Sequence, residues 1–161
     1  MSFSIQRYRP AQRSALIDAW EQSVRATHDF LAPGDIEFYR AEVEGIDFES
    51  FDVYCAMTPD DELIGLMGVE APELLMLFAR PDYIGKGVGG ALMRFALDQL
   101  GVSEVEVNED NTHAVGFYEK FGFRTTERKP VDSYGKPYPI LRMKLAQLAV
   151  AQPDAQAPGG T

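Results

Sequence analysis

Residues 83–90 read YIGKGVGG and put Gly85, Gly87, Gly89 and Gly90 within six positions. An apolar helical pattern, Val88, Ala91, Leu92 and Phe95, begins in the same place. Glycine inside a helix costs about 0.5–1 kcal/mol relative to alanine, so its repeated use at a helix start points to a need for bare backbone. The first four N–H groups of a helix have no partner within it. Glycines let an anion reach them without meeting Cβ atoms, and the chemistry this suggests is phosphate binding by main chain. Lys86 adds charge, and Arg80, Lys86 and Arg94 against Asp82 make the stretch locally positive in a chain of formal net charge −10. The plainer alternative is a tight loop and nothing more. A Walker loop is excluded, because no Gly-Lys-Ser/Thr follows. Gly85, Gly87 and Gly90 do match G-x-G-x-x-G, with Glu104 or Glu106 about 20 residues on, which keeps a nicotinamide-dinucleotide site as a rival. Against that rival, residues 80–84 separate the preceding strand from the first glycine, and antiparallel hairpins flank the unit.

A second run, 108-NEDNTHAVGFYEKFGF-123, sets Asn111, Ala114 and Tyr118 on one helix face by their spacing. Taken singly, the asparagine reads as an N-cap and the tyrosine as core.

The elements that must hold these groups follow from periodicity. Residues 2–8 alternate as a first strand, and Pro10 opens a helix carrying Leu16, Ile17, Trp20 and Val24, which Pro33 and Gly34 end. An acidic helix is predicted from Asp35 to Phe48. Residues 51–57 and 62–70 predict a hairpin, and the wholly apolar 74–79 predicts a further hairpin partner or a central strand. After the glycines come a helix from Val88 to about Leu100, a strand at 104–107, a helix over 111–121 stopped by Gly122, and a closing antiparallel pair. The result is a mixed sheet with helices on both faces. Residues 149–161, rich in Pro, Gly, Ala and Gln, predict a flexible C-terminal tail.

Length and composition fit one domain with a real core. No apolar run approaches 18 residues and no secretory leader is evident, so the expectation is a cytoplasmic protein without a membrane span. The acidic balance argues against nucleic acid as a partner. Cys55, the only cysteine, reads as a buried structural thiol.

The ordered set of motifs resembles the GNAT superfamily of acetyl-CoA-dependent N-acyltransferases. Residues 84–89 resemble its pyrophosphate motif, Arg/Gln-x-x-Gly-x-Gly/Ala, and N-x-x-A-x-x-x-Y-x-x-x-G-F at 111–123 resembles its second cofactor motif. More narrowly, 20-WEQSVRATHDFL-31 and 132-DSYGKPYPIL-141 look like the small bacterial YjaB-type acetyltransferases. The resemblance implies an α/β (α+β) fold, a GNAT-like, mostly antiparallel central sheet with helices on both faces, as a single domain over 1–148. It implies acetyl-CoA as co-substrate, no metal, and an acetyl transfer to a primary amine by direct attack in a ternary complex. Cofactor contacts would come from Leu77, Phe78 and Ala79 of the strand, from Ile84, Gly85, Lys86, Gly87, Val88, Gly89 and Gly90, and from Asn111, Ala114 and Tyr118. Ile84 departs from the family's Arg or Gln, which leaves that position its main chain only. Asn111 would bond the pantetheine arm and Tyr118 would protonate the departing thiolate. A bulge or splay in strand 74–79 would free an N–H for the carbonyl oxygen.

The base is left between Glu73, with Glu70 close by, and His28. His113 reads as solvent-facing. The acceptor side is predicted around His28, Phe30, Tyr39 and Tyr138, the three aromatics forming an apolar lip. Seven acidic residues between Asp35 and Asp52 face a single Arg40. They read either as a solvated helix face or as the attraction for a cationic acceptor: a polyamine, an aminoglycoside-like amine, a lysine side chain or an N-terminal amine. The protein is expected as a monomer or homodimer. Two alternatives stand beside the enzyme: an acyl-CoA sensor without turnover, and the dinucleotide-binding protein.

Overall fold

The computed structural model describes residues 2–146, and the tail expected over 149–161 lies outside the described residues. The chain forms two compact units that meet in sequence at Val102 and Ser103.

The first unit contains β1 (Ser4–Arg7), a 3-10 turn at Pro10–Gln12, α1 (Arg13–Thr27), α2 (Asp35–Glu44), β2 (Asp52–Met57), β3 (Leu63–Glu70), β4 (Glu73–Ala79), a 3-10 turn at Pro81–Tyr83 and α3 (Val88–Gln99). Its strands pair antiparallel in sequence order, β1 to β4. Val53, Cys55 and Met57 of β2 join Leu16, Trp20 and Val24 of α1 in one buried cluster, while the intervening Tyr54 stacks on Phe95 of α3 at 5.0 Å. Successive strand residues point to opposite faces, so α1 and α3 cover opposite sides of this sheet. β3 lies between them and is buried from Leu63 to Val69.

The second unit contains β5 (Glu104–Asn108), α4 (Thr112–Lys120), β6 (Phe123–Lys129) and β7 (Ile140–Leu145). β7 pairs antiparallel with both β5 and β6. Val105, Tyr118, Phe123, Tyr138 and Met143 are buried here. Gly122, at φ +98°, ends α4 in the left-handed conformation the sequence predicts. Among the described residues no helix is long and apolar enough to cross a membrane.

One expected boundary needs correction. α2 stops at Glu44, not Phe48. The N–H of Gly45 turns back to the carbonyls of Glu42 and Val43, and the Arg13 guanidinium donates to the carbonyls of Glu44 and Ile46, which satisfies the helix end early. The strand expected over 74–79 is present as β4, the antiparallel partner of β3; Leu74 is its buried residue, and Leu75 is 43% exposed.

Candidate active site

β4 leads directly into the glycine loop. The N–H of Arg80 donates to the carbonyl of Ile64 at 2.9 Å, and the 3-10 turn then closes through Tyr83 N–H to Arg80 O (2.9 Å) and Ile84 N–H to Pro81 O (3.2 Å). Gly85 and Gly87 take φ of +80° and +90°, a conformation in which any L side chain is strained. A Cβ at either position would meet nothing within 4 Å, so it is backbone conformation that demands glycine there. Gly89 and Gly90 differ, because they are ordinary helical residues and their bare surface answers no conformational need of the chain. The first intrahelical bond runs from Ala91 N–H to Gly87 O at 3.0 Å. The N–H groups of Gly87, Val88, Gly89 and Gly90 are therefore those the helix leaves unused, and no side chain caps them. Ile84 is half-buried in extended conformation, and Lys86 is exposed.

Within β4 the register against β3 slips by one residue. Gly68 faces Met76 and Val69 faces Leu74, leaving Leu75 as the extra residue of a bulge. The irregularity expected in strand 74–79 is present, and it lies between Leu74 and Met76.

In the second unit Asn111 caps α4: its Oδ1 accepts from Ala114 N–H at 3.2 Å. The N-cap reading thus holds, and the side-chain NH₂ is the part of Asn111 the cap does not use. Two turns on, Tyr118 is 7% exposed and packs edge-on against Phe117 and Phe123, with centroids at 5.4 and 5.9 Å. Its hydroxyl has no hydrogen-bond partner among the described residues. Burial alone pushes the phenol pKa above its ordinary range. A buried hydroxyl without a partner is unfavourable by about 1–3 kcal/mol, and such groups mark sites completed by something else.

The chain matches the acetyltransferase (GNAT) domain over residues 16–145, a span that takes in both units. This protein belongs to the GNAT acetyltransferase family. It is 42% identical over 146 residues to the peptidyl-lysine N-acetyltransferase YjaB of Salmonella typhimurium, covering 89% of this chain and 98% of that one. The solution structure of apo YjaB from Escherichia coli is similar with a TM-score of 0.82 and 36% identity, covering 90% of this chain and 98% of that one. The PaiA N-acetyltransferase of Thermoplasma acidophilum, solved with coenzyme A, shares the fold with a TM-score of 0.68 at 24% identity, covering 89% and 99%. The chain is an N-acetyltransferase of the GNAT type, which sets aside both the dinucleotide-binding and the non-catalytic readings.

The two candidate bases of this GNAT acetyltransferase sit in different settings. Glu73 begins β4 at the hairpin end, opposite Glu70. His28 caps the C-terminus of α1, half-buried, with its ring stacked on Phe30 at 5.2 Å. Burial lowers the imidazole pKa, opposed by the neighbouring Asp29 carboxylate, which favours the neutral ring. His113 is exposed, as expected. Tyr39 stacks edge-on with Phe38 on α2, while Tyr138 is buried in the second unit. The acidic segment is partly neutralised. Glu37 bonds Arg25 at 3.0 Å, Glu44 bonds Arg40 at 3.2 Å, and Glu21 on α1 pairs with both arginines. Asp52 pairs with Arg7.

Sequence reasoning missed Gly65. A Cβ there would lie 2.7 Å from Val88 Cγ1 and 3.3 Å from the carbonyl of Phe78. Only glycine lets the first turn of α3, and with it the glycine loop, seat on β3. The available signal was an isolated glycine inside an apolar strand pattern.

Proposed function

We propose that this enzyme transfers the acetyl group of acetyl-CoA to the side-chain amine of a lysine in a protein or peptide, by direct attack in a ternary complex. The observation that carries the reading is the end of β4. An apolar strand with a bulge runs into two left-handed glycines and a helix start with four free N–H groups, two of them on Gly89 and Gly90, whose backbone conformation does not require glycine. That arrangement fits the pyrophosphate of CoA, with Lys86 adding charge. Leu77, Phe78 and Ala79 would flank the pantetheine arm. The lysine acceptor is favoured by the likeness to peptidyl-lysine acetyltransferases.

Acetyl-CoA supplies an activated thioester. The amine nitrogen forms a bond to the carbonyl carbon as the carbon–sulfur bond breaks, so negative charge develops on the carbonyl oxygen and then on sulfur. An N–H released at the Leu75 bulge would stabilise the oxygen. The Tyr118 phenol, kept protonated by its burial, is a donor for the sulfur, an effect typically of about 10²–10⁴ in rate. His28, neutral, would take the amine proton.

The test is thiol release from acetyl-CoA with a lysine-containing peptide, spermidine and an aminoglycoside as acceptors, together with thermal melting in the presence of acetyl-CoA. Stabilisation by acetyl-CoA and faster release with the peptide are expected. Faster release with spermidine would replace the lysine acceptor by a polyamine, and an unshifted melt would refute the CoA cradle.

A further inference from the structure

The last turn of α1 carries a hydrogen-bond chain that no motif suggested. Thr27 Oγ1 lies 2.7 Å from the carbonyl oxygen of Ser23 and 2.8 Å from Nδ1 of His28. Ser23 is buried, and the backbone N–H of His28 donates to Val24 O at 2.8 Å. A hydroxyl has one hydrogen to give. If it were given to His28 Nδ1, two oxygens would face each other at 2.7 Å with no hydrogen between them. If it is given to Ser23 O, a back-bond threonine commonly makes in helices, the Nδ1 contact is completed by a hydrogen on the ring. Only the second arrangement satisfies both contacts.

We infer that Thr27 is a positioning residue for the acetyl transfer: it holds His28 as the Nδ1–H tautomer and so presents a bare Nε2 lone pair to the acceptor amine. The inference rests on the proposed transfer to a lysine amine. Nε2 takes the proton that the nitrogen loses as its bond to the acetyl carbon forms. The resulting imidazolium keeps its Nδ1–H on Thr27, so the ring need not reorient during turnover, and it returns the proton to solvent. Phe30, stacked on the ring, restricts its rotation. Nδ1–H is the tautomer a free imidazole adopts less readily, so the hydroxyl has something to impose.

The chain has two histidines, which makes the measurement direct. ¹⁵N-histidine-labelled protein gives two imidazole spin systems, and His113→Gln assigns them. The expected result is an Nδ1–H tautomer for His28, moving toward Nε2–H in Thr27→Val. In the same variant, kcat with a lysine peptide should fall about tenfold or more, with KM for acetyl-CoA within about twofold of wild type. Thr27→Ser should restore both readouts. An Nε2–H tautomer in the wild type, or an unchanged kcat in Thr27→Val or in His28→Gln, would overturn the inference while leaving the transfer reading intact if the wild type turns over. A wild type that releases no thiol with any amine would instead sink the transfer reading and, with it, the positioning role. The folding of each variant is checked by its melting temperature.

Discussion

Arg80 Nη1 donates to Asp18 Oδ2 at 2.6 Å, which ties the first residue after β4 to the middle of α1. The same guanidinium donates to Gln22 Oε1 (3.2 Å), to the carbonyl of Leu63 (2.6 Å) and to that of Ala15 (3.2 Å). The planar fork of arginine thus clamps the entry to the glycine loop against both the helix and the neighbouring strand.

Arg80→Ala should lower stability by about 2–3 kcal/mol, because it leaves partly buried carbonyls unpaired, and should raise KM for acetyl-CoA by loosening the loop. Arg80→Lys should not restore the affinity, since an ammonium cannot span the same acceptors. Asp18→Asn should shift stability by less than about 1 kcal/mol, because Asp18 is 55% exposed. Urea denaturation beside acetyl-CoA saturation curves checks all three. An Arg80→Ala protein with wild-type KM would mean that the loop holds its shape without the clamp.

Gly65→Ala should displace the first turn of α3. The methyl would press on Val88 Cγ1, a stiff branched side chain, and on backbone at Phe78. Overpacking of this kind is destabilising by about 1–3 kcal/mol. Val88→Ala should recover part of the loss, giving non-additive changes in a double-mutant cycle. Strict additivity would show that the two positions are not coupled.

Tyr118→Phe separates stability from catalysis. The hydroxyl is buried without a partner among the described residues, so its removal should leave the melting temperature unchanged or raise it. Thiol release should nevertheless fall about 10²–10⁴-fold if the phenol is the sulfur's proton donor. A variant of full activity would remove Tyr118 from the reaction.

Glu21 predicts part of the acid sensitivity. Hydrogen bonds from Arg25 and Arg40 hold its pKa below the ordinary 4.5. A carboxylate depressed in the folded state contributes stability above its unfolded pKa and loses it as pH falls through the folded value. The denaturation midpoint should therefore drop as pH is lowered below about 4.5, and Glu21→Gln should flatten that drop while lowering stability at pH 7. An equally steep fall in the variant would assign the effect to other carboxylates.

What local rules govern was legible in the residue types. The left-handed glycines opening α3, the Asn111 cap, the Gly122 stop and the order of strands and helices all express conformational demands within a few residues, and the motif spacing carried the family with them. Sequence also named Tyr118, but not its condition, because an unpaired hydroxyl is a property of its surroundings. The tertiary structure alone decided the rest. It places the Leu75 bulge, which exists only as a mismatch of β4 against β3, and the early end of α2, where Arg13 reaches across from another helix. It sets Gly65 beneath Val88 and the Arg80 clamp on α1. The Arg80 clamp by itself depends on partners 17 to 65 residues away in the chain, and hydrophobic periodicity, which reports only which face a residue takes, carries no record of which atom will meet it there.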